Sequence, residues 1–192
     1  MHIHLLTSNA FKLETARLAL QDTGVEMIPL NINVPEIQAD TNAEIARSAA
    51  LEAAQIIGEP VVREDHGFVL GAVTGFPGPY MAYIEKTVSP ETLLKLLHNE
   101  ADRSASFILA MTYATPSGEY KDFVSTVPAT ILPEIHEGSK DFGWDSLISL
   151  GGDPRALSEY PPESRYQFFT ANYYSLLDFL KKSDSKRTKS SR

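Results

Sequence analysis

Three short stretches of this chain gather residue types that handle phosphates, metals or flat heteroaromatic rings. The first is "VVREDHGFVL", Val61–Leu70, which sets Glu64 and Asp65 between two apolar runs. A carboxylate withdrawn from water needs a cation or an ion-pair partner, or it keeps its proton. The plainer alternative is that the strand ends there, and the acids together with Gly67 mark a turn. Glu36, in "VPEIQ", is a third acid of interest. Mg²⁺ is usually held by one or two carboxylates plus substrate phosphates. If the two strand ends lie side by side, Glu36 and Asp65 can share one cation. An acid left free of the metal then orients or deprotonates an attacking water.

The second stretch, "TSNAFK", sits at a strand-to-helix junction. Thr7, Ser8 and Asn9 fall at a helix N-terminus, where free N–H groups and the helix dipole favour an anion. Lys12 follows one turn later, within reach of a phosphate. The same residues also read as an ordinary Ser/Asn cap with a solvated lysine. The third stretch is "DFGWD", Asp141–Asp145. Phe142 and Trp144 offer flat faces on which a base can stack, and Asp145 can accept from base edges. A buried aromatic pair in a turn is the alternative. The histidines (His2, His4, His66, His98, His136) show no ligand spacing, and only His66 stands out, because it adjoins the acid pair.

These residues must be positioned by surrounding elements. "HIHLLT" predicts a buried strand and "NAFKLETARLALQDTG" an amphipathic helix ending at Gly24. "VEMIPLNI" predicts a second strand, and "TNAEIARSAALEAAQIIG" an Ala-rich helix from Thr41 or Asn42 to a glycine stop at Gly58. "PVVRED" and "GFVLGAV" read as two further strands, giving an α/β alternation. Beyond the Gly/Pro cluster "TGFPGPYMAY", "SPETLLKLLHNE" predicts a helix with Pro90 in its first turn. "SASFILAMTYATPSGEYKDFVSTVPATILP" reads as an antiparallel hairpin, "KDFGWDSLISLGGDPR" as loop and short strand, and "RYQFFTANYYSLLDFLKK" as a closing helix.

Length and composition fit one domain: 192 residues, 43% hydrophobic and 22% charged. No cysteine is present, which excludes disulfides, thiolate metal sites and cysteine nucleophiles. A net charge of −8 argues against stable nucleic-acid binding. No apolar run approaches the ~20 residues of a membrane helix, and the start lacks a secretory pattern, so a cytoplasmic, membrane-free protein is expected. The final "SDSKRTKSSR" is basic, polar and expected to be disordered. The domain expectation is therefore residues 1–182 as one two-lobed unit and 183–192 as tail.

The order "TSNAFKLE", "VPEIQ", an Ala-rich helix, "GEPVVREDHGF", "GFPGPYMAYIEK", "SPETLLKLL" and "DFGWD" resembles the inosine triphosphate pyrophosphatase family. The likeness covers most of Met1 to Asp145, and "PGPY" and "FGWD" are its more specific parts. The resemblance implies an elongated α/β fold with a mixed central sheet flanked by helices and a cleft between two lobes, usually as a homodimer. It implies Mg²⁺-dependent cleavage of non-standard purine nucleoside triphosphates to monophosphate and pyrophosphate. Carried over by position, Thr7, Asn9 and Lys12 fall on the phosphate-binding opening, with Ser8 between them. Glu36 and Asp65 fall on the acids serving the metal and the water, with Glu64 beside them. Lys86 falls on a phosphate-contacting lysine, and Phe142, Trp144 and Asp145 on the base-recognition segment.

Departures accompany the likeness. Ser8 stands where the family has glycine, His66 where it has Ser or Thr, and Ala49 where the helix normally carries a lysine. The family's Ser-His-Arg near the C-terminus is replaced by Thr170, Ala171 and Asn172, with Arg165 nearby. Three alternatives follow: purine triphosphate hydrolysis with poorer selectivity, a pocket retuned to another nucleotide, or a catalytically weak or silent nucleotide-binding or regulatory module.

Overall fold

The structure, a computed structural model, describes residues 1–136 and 143–190, with backbone alone from 184 onward. The chain begins β1 (His2–Leu6), α1 (Ala10–Leu20), β2 (Glu26–Leu30), α2 (Asn42–Ile57) and β3 (Val61–Leu70). α1 starts where Asn9 accepts from the Phe11 N–H, and α2 starts in a capping box made by Thr41 and Glu44. α2 ends at Gly58, whose φ of +71° suits a residue without a Cβ. β3 is one continuous strand where the sequence suggested two. Its antiparallel partner hydrogen-bonds alongside it from Val61 to Leu70, so "RED" lies mid-strand and the turn alternative fails.

The chain continues through β4 (Pro77–Gly78), α3 (Met81–Thr87), α4 (Pro90–Leu96), β5 (Ser104–Ala114) and β6 (Tyr120–Ile131). A 3₁₀ turn at Gly143–Ser146 leads to β7 (Ile148–Leu150). α5 (Pro162–Arg165), a 3₁₀ turn at Tyr166–Phe169 and α6 (Ala171–Ser190) close the chain. The expected hairpin is β5–β6. α3 was not anticipated; the Gly/Pro cluster masked it. α6 continues to Ser190, through most of the tail expected to be disordered. No Pro or Gly follows Lys182 to stop it, and Lys and Arg propagate helix well.

The sheet order is β2-β1-β3-β5-β6-β7, with β4 joined to β3. β1, β2 and β3 run parallel, and the remaining pairs are antiparallel. This is the expected mixed sheet flanked by helices. On one face Leu5, Val62, Met111, Tyr173 and Leu176 join α1 and α6 to the strands. On the other, the alanines of α2 pack on Leu6 and Val61. The far halves of β3 and β5 build a separate core with Leu93, Trp144 and Ile148. Three hydrophobic clusters are thus strung on shared strands. Among the described residues no helix is long and apolar enough to cross a membrane.

Candidate functional site

The site forms where β1 runs out and β3 does not. β1 pairs with β3 only at His4–Val61 and Leu5–Val62. Beyond that the chain turns away through Thr7, Ser8 and Asn9, and the edge of β3 is left open. Side chains occupy the opening. Arg63 Nη1 donates to the Leu6 carbonyl at 3.1 Å, and Lys12 Nζ donates to the Glu64 carbonyl at 2.9 Å. Lys12 is therefore drawn onto the strand edge rather than solvated, and burial lowers its pKa, opposed by the charge of Glu64. Thr7 Oγ1 accepts from the Asn9 N–H, and the Asn9 carboxamide caps α1. Ser8 is exposed at the same corner.

Strand alternation separates the two adjacent acids. Asp65 faces α2, where Asn42 Nδ2 donates to its Oδ2 at 2.6 Å. Gly67 makes that approach possible, because a Cβ there would collide with the Asn42 carboxamide. Burial raises the Asp65 pKa, and the Asn42 bond and the Lys12 charge pull it back. Glu64 faces α6 instead. It is buried, and its Oε2 accepts from the Tyr173 hydroxyl at 2.7 Å. Burial, then the Glu64 charge, drives the Tyr173 pKa upward, so the hydroxyl stays a donor. The expectation that Glu64 and Asp65 act side by side is corrected on this point.

Glu36 pairs with Arg63 Nη2 at 2.8 Å, on the Asp65 side of the strand. Glu36 and Lys86, from α3, line one groove of about 500 Å³ with Tyr80 and Tyr83. Among the described residues no three His, Cys, Asp or Glu side chains are grouped so as to hold a metal alone. The donor set nevertheless suits a hard cation. Glu36 and Asp65 lie on one side of the strand with Arg63, and Mg²⁺ commonly takes only one or two carboxylates when phosphates complete its shell.

On the other face lies a cavity of about 190 Å³ lined by Phe11, His66, Phe107, Phe169, Asp145 and Arg165, among others. Phe169 meets Phe11 and Phe107 edge-on, at 5.3 and 5.4 Å between centroids. Arg165 Nη1 reaches Asp145 Oδ2 at 3.2 Å, and its other donors bind the Tyr160 carbonyl. Burial pushes the Asp145 pKa up to about 6, against the pull of Arg165. Apolar walls with a few convergent polar groups are the usual form of a site for a flat organic ring.

Several expected roles shift. Trp144 is fully buried, with its indole N–H on the Val88 carbonyl at 2.8 Å, so no face is free to stack a base. Gly143 lets Glu85 close on this turn, where the Trp144 N–H donates to Glu85 at 3.0 Å. Phe142 lies outside the described residues. Ala49 packs in the core with Leu6 and Val61, so a lysine there would not face the opening. Asn172 is likewise structural, donating to the Leu109 carbonyl at 2.9 Å. The sequence missed Asn42 and Arg63. A polar residue opening an apolar helix and a basic residue two before Asp65 on one strand face are the signals that could have found them.

Known proteins resemble this chain in sequence and in fold. Residues 3–169 match the Ham1 family. The dITP/XTP pyrophosphatase of Thermococcus kodakarensis is 37% identical over 165 residues, spanning 86% of this chain and 88% of that protein. That of Methanopyrus kandleri is 34% identical over 165 residues, spanning 86% and 87%. A HAM1 protein from Coxiella burnetii shares the fold, with a TM-score of 0.79 and 22% identity over 95% of this chain and 99% of that one. The family match runs from β1 past Arg165 and so takes in the strand-edge opening, the acid strand and the aromatic cavity together: this chain belongs to the Ham1 family.

Proposed function

We propose that the chain is a Mg²⁺-dependent nucleoside triphosphate pyrophosphatase acting on non-standard purine triphosphates of the dITP and XTP kind. The reading rests on its relatives and on one observation: Lys12 and Asp65 converge on the open edge of β3, next to an aromatic cavity of base-like proportions. The triphosphate would lie at the strand edge and the base in the cavity. Thr7, Ser8, Asn9 and the start of α1 present a positive helix end to the phosphates, and Lys12 and Lys86 add point charges. Asp65 and Glu36 would hold the Mg²⁺. When bound, the ion offsets phosphate charge and polarises the phosphoryl oxygens.

Asp65 is the base of this proposal. It takes the proton of a water attacking the α-phosphorus, the bond to the bridging oxygen breaks, and pyrophosphate leaves. Asn42 keeps the carboxylate aimed and ionised. Arg63 swings Glu36 to the same side of the strand. Glu64 supports the opening from behind, through its carbonyl on Lys12. A homodimer belongs to the same proposal by family likeness, and sedimentation at the mass of two chains checks it. Phosphorus NMR of ITP turnover with Mg²⁺ tests the chemistry. Inosine monophosphate with pyrophosphate is expected; the diphosphate with inorganic phosphate would overturn the assignment.

A further inference from the structure

In the proposed function Arg63 only places Glu36, yet the pair has a second consequence. Arg63 is held on two sides: Nη1 donates to the Leu6 carbonyl where β1 stops, and Nη2 donates to Glu36 at 2.8 Å. Its side chain lies deep, 20% exposed, whereas that of Glu36 is 59% exposed and lines the groove with Lys86. Arg63 is anchored on β3, and Glu36 belongs to the irregular segment between β2 and α2. The acid is therefore the partner free to turn, and the guanidinium stays on the strand. Its Nε is buried with no hydrogen-bond partner among the described residues, so the guanidinium makes this contact with one donor unsatisfied.

Lys12 and Asp65 each feel the charges of Arg63 and Glu36, so the four form one electrostatic cluster at the open edge of β3. With a guanidinium already on Glu36, the pull of this cluster on a free divalent ion is weakened. A guanidinium can pass from a carboxylate to a phosphate, because both present paired oxygens to its fork. We infer that Arg63 couples the two ligands of this site: it neutralises Glu36 in the unliganded protein, and once Glu36 turns to a divalent cation the released Nη2 donates to a polyphosphate oxygen. Cation and polyphosphate then favour each other, and by linkage the factor is the same whichever binds first. The inference rests on the proposed placement of Mg²⁺ at Glu36 and of the triphosphate at the strand edge.

Titrations with one ligand at a time test it. Mn²⁺ alone, followed by its electron paramagnetic resonance signal, is titrated into the wild type and into Arg63→Met, whose unbranched side chain keeps the buried stem. The variant should bind Mn²⁺ about tenfold more tightly, roughly the effect of removing one charge-assisted hydrogen bond that competes for Glu36. A residue that only places Glu36 would give weaker binding on removal. That result, an unchanged affinity, or no Mn²⁺ binding by either protein overturns the inference. Inorganic pyrophosphate without metal is then titrated by calorimetry into the wild type, Glu36→Gln and the double variant Glu36→Gln with Arg63→Met. Glu36→Gln frees the guanidinium and should bind pyrophosphate about tenfold more tightly than the wild type. The second substitution should abolish that gain. A gain that persists in the double variant comes from net charge alone and overturns the inference, as does no gain in Glu36→Gln. If Arg63→Met fails to fold, Arg63→Gln, which can still donate to the Leu6 carbonyl, replaces it with the same expected results. No titration involves turnover, so failure of the pyrophosphatase proposal is seen separately, as absence of pyrophosphate release from ITP.

Discussion

Asp65 and Asp145 are both carboxylates whose burial raises the pKa, with different consequences. In the proposed role Asp65 must be ionised to accept a proton, and burial in the metal-free protein works against that. The Asn42 bond favours the charged form. Asn42→Ala should therefore move the acid limb of kcat/KM to higher pH, read from rate profiles with saturating Mg²⁺; a limb that stays put would sever Asn42 from Asp65 chemistry. Asp145 bears on stability. Between about 3.9, the ordinary aspartate value, and about 6, its folded value, the folded protein holds a proton that the unfolded chain releases. Its stabilising contribution is complete below that window and is lost as pH rises through about 6. Asp145→Asn should flatten the fall of the urea midpoint between about pH 4 and about pH 7. An identical slope in the variant would contradict this.

At the scale of elements, the open edge of β3 decides everything nearby. Its partner strands and the close approach of α2 both act at Gly67, where an added Cβ would meet the Asn42 side chain and, at 2.9 Å, the Gly78 carbonyl. Gly67→Ala should destabilise by about 1–3 kcal/mol, as overpacking does, and should lower turnover with it. Chemical denaturation measures the first, and a neutral result would show that α2 gives way freely. The alternation of "HIHLLT", the capped α2 and the β5–β6 hairpin were legible in the sequence because each follows from local periodicity and capping. That Glu64 and Asp65 point apart is not legible in a stretch that reads as a strand end. Continuity of β3 is imposed by β5 across 10 paired residues. Arg63 and Asn42 act through contacts 27 and 23 residues distant, which spacing along the chain does not display. The buried state of Trp144 depends on Val88 and Glu85, 56 and 59 residues away.

For the molecule as a whole, three hydrophobic clusters share β3 and β5, so they should unfold together. Trp144 is the sole tryptophan and lies fully buried in one cluster. Its emission should remain blue and unshifted on addition of ITP, and should move red in one transition coincident with the loss of far-UV dichroism. A nucleotide-induced shift would mean that this indole does line the site. The acidic body and the triphosphate repel one another, so the convergence of Lys12, Asp65 and the proposed Mg²⁺ is what the account depends on. Pyrophosphate release from ITP, XTP and dITP by the wild type and by Asp65→Asn tests that convergence most directly. The account predicts Mg²⁺-dependent release by the wild type and a loss of at least ~100-fold in the variant, the scale of a missing general base, with the fold intact. A folded Asp65→Asn protein that turns over at the wild-type rate would contradict it.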